Sequence, residues 1–150
     1  MEITPRQTIE GLNHLITIAV DGQHGYSLAA EHATNPLLKA LFLKHAAERA
    51  GFATELKTLV REAGENPDKE GGPVAALHRA WIDIKTAVTS NDNKAVLNEC
   101  ITGDRAAVAA YESELKDNVY TAEQRGVLER QLKLVREALF NVEQEAAKQL

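Results

Sequence analysis

A chain of 150 residues with 44% hydrophobic and 26% charged residues can bury a substantial core without disulfides or structural metal, and wholesale disorder is excluded. A net charge of −5 offers no basic footprint, so neither nucleic acid nor an anionic membrane is expected as a partner. Cys100 is the only cysteine, which excludes an intramolecular disulfide and suits a reducing compartment. Met1-Glu2-Ile3-Thr4-Pro5 has no charged-then-apolar leader pattern, and no run reaches the roughly eighteen apolar residues of a membrane span. One soluble, cytoplasmic domain over residues 1–150 is expected.

Thr4-Pro5-Arg6-Gln7 reads as a capping box with proline at the first helical position. It opens a helix predicted to about His32, with Ile9, Leu12, Ile16, Ala19, Gln23, Tyr26 and Ala30 on one face. Asn35-Pro36 repeats the cap-then-proline signal. The second helix runs to Gly64, and its predicted stripe is Leu38, Leu41, His45, Glu48, Phe52, Leu56 and Leu59. Glu65 to Gly72 is polar and glycine-rich and is predicted as a loop. Pro73 starts a shorter helix with Val74, Leu77, Trp81, Ile84 and Val88 on its stripe, stopping at Thr89-Ser90-Asn91-Asp92. The next helix turns Val96, Cys100, Asp104, Ala107, Tyr111 and Leu115 inward. After Asn118, Thr121-Ala122-Glu123-Gln124 is a further capping box, and the last helix carries Leu128, Gln131, Val135, Leu139, Val142 and Ala146. No strand pattern is present.

Links of about three and four residues make each outer pair of helices an antiparallel hairpin. Between the hairpins, a helix of roughly 25 Å can cross most of a bundle about 40 Å long, at 1.5 Å per residue. The fold class expected is therefore all-α: a ferritin-like four-helix bundle, two antiparallel hairpins joined by a crossover containing a short extra helix. A five-helix up-and-down bundle fits the same pattern.

Two carboxylates, Glu48 and Asp104, fall on the predicted apolar stripes. An ionised carboxylate there must be paired, hydrogen-bonded or metal-bound, since unpaired burial costs several kcal/mol, roughly. Equal distances from the turns place them in one layer with His45 and Gln23. A di-iron site of this architecture needs a carboxylate from each of two helices and Glu-x-x-His from each of the other two. Position 51, where the histidine would follow Glu48, is Gly51, and the first helix offers Ala19 and Gln23. Two readings follow. His45, Glu48 and Asp104 could hold one divalent ion, iron or zinc, in a metal-binding protein or metal-dependent oxidoreductase. Alternatively no cofactor binds, and the carboxylates form a polar cluster, Glu48 accepting from Tyr26, Tyr111 or Arg49 and Asp104 from His45. Cys100 reads as a small buried hydrophobe. Gly22, Gly25, Gly51 and Gly103 sit inside helices near this layer, which points to close helix approach there or to room for a ligand. Leu28 and Leu43 are expected to face outward, either under the crossover or at an oligomer interface.

The runs Leu12-Asn13-His14-Leu15-Ile16, Asp21-Gly22-Gln23-His24-Gly25-Tyr26, Ala46-Ala47-Glu48-Arg49-Ala50-Gly51-Phe52 and Leu77-His78-Arg79-Ala80-Trp81 also carry a resemblance. Together they resemble a family of small bacterial four-helix-bundle proteins of unknown function, placed in the ferritin-like superfamily. The resemblance implies the fold and no reaction, substrate or cofactor. In it Glu48 looks like the acid of the first Glu-x-x-His and Asp104 like the acid of the third bundle helix, and the match fails at Gly51 and Ala19. The expected role is non-enzymatic, through a homo-oligomer or a protein partner, with a stress-associated role implied by analogy alone.

Overall fold

Capping chemistry sets where the helices begin and end. In the computed structural model, which describes residues 5–67, 83–88 and 92–149, helix α1 spans Pro5–His32. The Thr4 half of its capping box lies outside those residues. Helix α2, Pro36–Glu62, starts where the Asn35 side chain accepts from the Leu37 and Leu38 amides at 2.8 and 3.3 Å, with proline behind it. It stops where Gly64 takes the left-handed conformation, φ 88°, letting the Gly64 and Glu65 amides donate back to Arg61 and Val60. Helix α3, Asn93–Lys116, is capped by Asp92, which the sequence reading placed only in a stop signal. Helix α4, Ala122–Lys148, has both halves of the Thr121/Gln124 capping box, at 3.1 and 2.9 Å. The described residues contain no strand, so the chain is all-α.

The packing order follows from which side chains meet. Helix α1 packs on α2 and α3, and α4 packs on α3 and α2. Contacts from α1 to the third helix and its C-terminal link pair Thr8 with Val119, His14 with Glu114 and Tyr26 with Asp104, so numbers rise on one as they fall on the other and the helices are antiparallel. Arg105–Glu143 and Arg136–Glu112 show the same for α3 and α4. By contrast Arg49 meets Asp104 while Phe42 lines a cleft with Val96, so α2 and α3 run parallel. The link between them therefore joins the end of α2 to the start of α3, which lie at opposite ends of the bundle. Its residues 83–88 are helical and bury Ile84 and Val88. Pro73, Val74, Leu77 and Trp81, the remainder of the predicted crossover helix and its start, lie outside the described residues.

The core between the helices is aliphatic and aromatic, with Leu12, Ile16, Leu56, Leu97, Leu128 and Val142 fully buried, each contributing about 1.5–3 kcal/mol. On helix α2 the predicted positions Leu38, His45, Phe52, Leu56 and Leu59 are buried, whereas Leu41 and Glu48 are half-buried and their neighbours Phe42 and Arg49 are buried instead. Leu41 and Phe42 are adjacent and both apolar, so periodicity alone does not choose between them; packing of Phe42 against Tyr26 of α1 and beside Val96 of α3 does. Leu43 is exposed as expected, whereas Leu28 packs half-buried on the core. Among the described residues no helix is long and apolar enough to cross a membrane.

Candidate functional site

Helices α1, α2 and α3 each send one polar side chain to a single point in the core. Asp104, wholly buried on α3, accepts from the Tyr26 hydroxyl at 2.5 Å on Oδ2 and from Arg49 Nη2 at 2.8 Å on Oδ1. The Arg49 guanidinium carbon lies 5.4 Å from the centre of the Tyr26 ring, within cation–π range. The His45 ring stands 5.4 Å from the same ring, and its Nδ1 lies 2.8 Å from Glu48 Oε1. Glu48 retains 23% side-chain exposure, so this second pair leads from the cluster to the surface. Gly22 of α1 makes room for it: a Cβ there would lie 2.8 Å from Arg49 Nη1. Gly51, by contrast, is exposed and has nothing near its missing Cβ.

A turn or two away a second buried polar set crosses to α4. The Tyr111 hydroxyl donates to Gln131 Oε1 at 2.6 Å, and Gln131 Nε2 donates to Glu55 Oε1 at 3.0 Å. Glu55 in turn pairs with Arg130 at the surface. The burial of Gln131 is thus satisfied on both its amide atoms.

The electrostatics follow from burial. Desolvation pushes the Asp104 carboxyl above its ordinary value, opposed by the Arg49 guanidinium and the Tyr26 hydroxyl. Burial is the largest single influence on Arg49 and works against its charge, but Asp104, Tyr26 and Tyr111 together outweigh it and raise the guanidinium further. Burial and then Asp104 push the Tyr26 phenol and the Cys100 thiol well up, so Cys100 is held as a thiol, without the thiolate that nucleophilic or soft-metal chemistry uses. The cluster supplies a fixed cation and hydrogen-bond donors but no activated nucleophile. Arg49 Nε, Arg49 Nη1 and His45 Nε2 are buried without a hydrogen-bond partner; an unmet group of this kind costs about 1–3 kcal/mol.

Of the residues singled out from sequence, His45 and Glu48 come together, while Asp104 pairs with Arg49 and Tyr26, the ring that His45 also packs on, so the pairings differ from those expected. Tyr26 and Arg49, weighed as donors to Glu48, both serve Asp104; Tyr111 serves Gln131; His45, weighed for Asp104, serves Glu48. Gln23 is half-buried, and the inward position beside it is Gly22. Among the described residues no three His, Cys, Asp or Glu side chains converge as metal ligands would.

A further polar cluster at the bundle end had no sequence signal beyond residue type. The Tyr120 hydroxyl donates to Glu114 Oε1 at 2.6 Å, and His14 Nδ1 lies 3.4 Å from Glu114 Oε2. A Cβ on Gly11 would collide with both Tyr120 and Glu114. His14 and Glu114 line an open cleft of about 510 Å³ with Gln7, Glu10, Asp117 and Asn118.

Fold and cluster together define an all-α helical bundle with an internal guanidinium–carboxylate pair. Residues 7–117 match the family described as Domain of unknown function (DUF2383). That is more than half of the 150 residues, and the chain belongs to this family. The matched stretch runs from the first turns of α1 to the end of α3, holds every member of the Asp104 cluster and leaves α4 outside. No curated protein matches the chain.

Proposed function

We propose that the chain is a ferritin-like bundle in which an internal ion pair occupies the place of a metal centre, and that it acts in the cytoplasm by associating with itself or another protein rather than by catalysis. The observation that carries this reading is Arg49. Buried carboxylates between helices of such a bundle need positive charge, which di-iron proteins take from metal bound by Glu and Glu-x-x-His ligands. Here a tethered guanidinium supplies it: both Asp104 oxygens are engaged, one by Arg49 and one by Tyr26. The residues present do not fit a di-iron centre, because Gly51 replaces the histidine of the motif and α1 offers Ala19 and Gln23. A fixed cation also repels an incoming divalent ion. The hairpin pairing with parallel α2 and α3 supports the ferritin-like arrangement over the up-and-down alternative. Exposed Leu37, Leu43 and Phe140 offer apolar contact points for association.

Elemental analysis of protein purified without chelator or tag metal, followed by anaerobic ferrous titration, tests the reading. Wild type is expected to carry and bind no stoichiometric metal. Stoichiometric iron or zinc that disappears in Glu48→Gln while the fold persists would overturn it and assign His45, Glu48 and Asp104 to a single-ion site. Sedimentation velocity with and without a Leu37→Glu/Leu43→Glu pair tests the association side.

A further inference from the structure

Three of the buried nitrogens without a hydrogen-bond partner lie together on α2, apart from His14 Nε2 at the bundle end. His45 and Arg49 are four residues apart on α2, which stacks them on one face a turn apart. Both are almost fully buried, at 1% and 2% exposure, and both lie 5.4 Å from the Tyr26 ring, His45 by its ring centre and Arg49 by its guanidinium carbon. Their needs are complementary. Guanidinium N–H groups only donate, so Arg49 Nε and Nη1 require an acceptor. His45 Nδ1 faces the Glu48 carboxylate, which only accepts, so in the tautomer that donates from Nδ1 the other nitrogen, Nε2, is an acceptor requiring a donor.

We propose that Arg49 and His45 together hold one internal water molecule, accepting from Arg49 Nε or Nη1 and donating to His45 Nε2. Water is the smallest species that does both, and buried waters bind in just this way, to two or more polar groups that lack other partners. Charge argues against an ion in the same place. Asp104 and Glu48 already set two carboxylates against the one guanidinium, which disfavours an anion, and Arg49 itself disfavours a metal cation. The water joins the two halves of the cluster into one hydrogen-bonded chain, from half-exposed Glu48 through His45 and Arg49 to Asp104 and Tyr26. The buried pair is thereby coupled to the surface through Glu48, whether or not the bundle associates with a partner.

Water-selective NMR on full-length protein labelled with ¹⁵N-arginine tests this. In wild type the Arg49 Nε–H is expected to give a cross-peak to water with the sign of a long-lived bound molecule. His45→Phe, which fills similar space without an acceptor, is expected to lose it; His45→Gln, whose amide oxygen accepts, is expected to keep it. Absence of the cross-peak in folded wild type overturns the inference, as does its persistence in folded His45→Phe. Should His45→Phe fail to fold, wild type and His45→Gln decide between the same two outcomes, loss in either one counting against the bridge.

Discussion

Two carboxylates in this bundle are held by the same kinds of group, yet their acidities are shifted in opposite directions. Asp104 accepts from Tyr26 and from Arg49; Glu114 accepts from Tyr120 and faces His14. A glycine of α1 lets each cluster in, Gly22 against Arg49 and Gly11 against Tyr120 and Glu114. These glycines are eleven residues apart, three turns with about 20° left over at 3.6 residues per turn, so one face of α1 serves both. Yet burial raises the carboxyl of Asp104 despite a full positive charge beside it, whereas His14 lowers that of Glu114, whose surroundings are still partly solvent. Access to water, more than the list of partners, decides the direction in which a carboxylate is shifted.

The largest test of that contrast lies in the core. Asp104→Ala strands the Arg49 charge and the Tyr26 hydroxyl and is expected to cost about 3–5 kcal/mol, the range for breaking a buried pair from one side. The double variant Arg49→Met/Asp104→Leu replaces both partners with apolar groups and should recover most of the loss, because the pair's attraction is largely offset by its desolvation. Urea unfolding of wild type, single and double variants measures both. A double variant as unstable as the single one would mean that the pair itself, and not its completeness, stabilises the bundle.

Next in size, Gly11→Ala forces Tyr120 off Glu114. Losing a hydrogen bond to a charged group costs about 1.5–3 kcal/mol, offset by about 1 kcal/mol of helix propensity, so a net loss of about 0.5–2 kcal/mol is expected in thermal or urea melts. Gly51→Ala is the control. With open space around it and an exposed helical position, it should stabilise the protein by about 0.5–1 kcal/mol. Equal effects at the two positions would remove the case that the α1 glycine is there for close approach.

The fold was largely legible because its signals are local. Asn35-Pro36, Gly64 and Thr121-Gln124 mark helix ends through hydrogen bonds made within a few residues, and the inward positions of α3 and α4 followed from a clean period. The layer of polar residues was also legible, since Asp104 and Gln131 fall on apolar stripes that tolerate them only with partners. Which partner each takes was not. Arg49 was named from sequence as a donor to Glu48, but the buried face of α2 is wide enough at this turn to take Arg49 inward and leave Glu48 at the rim. Adjacent Leu41 and Phe42 give periodicity no means of choosing. Tyr120 and Glu114 escaped notice for a different reason: their partnership with Gly11 and His14 is a contact across a hundred residues or more that no local pattern encodes.

The smallest prediction tests the solvent side of the contrast. Because Glu114 has its folded pKa below the ordinary 4.5, the folded state binds its proton less readily than the unfolded one. The stability it contributes is therefore present above about pH 4.5 and is lost as pH falls through the depressed folded value. His14, the largest cause of the shift, makes its side of the pair, and partial exposure screens it, so the contribution should be only about 0.5 kcal/mol, the scale of solvent-accessible ion pairs. Urea unfolding of wild type and Glu114→Gln across pH 3 to 7 should show the wild-type advantage above pH 5 and its disappearance toward pH 3, with salt reducing it. A difference that stayed constant with pH would assign the role of Glu114 to its bond with Tyr120, which the amide oxygen of glutamine can also accept, and would leave burial as a weaker explanation of why the two tyrosine-bound carboxylates differ.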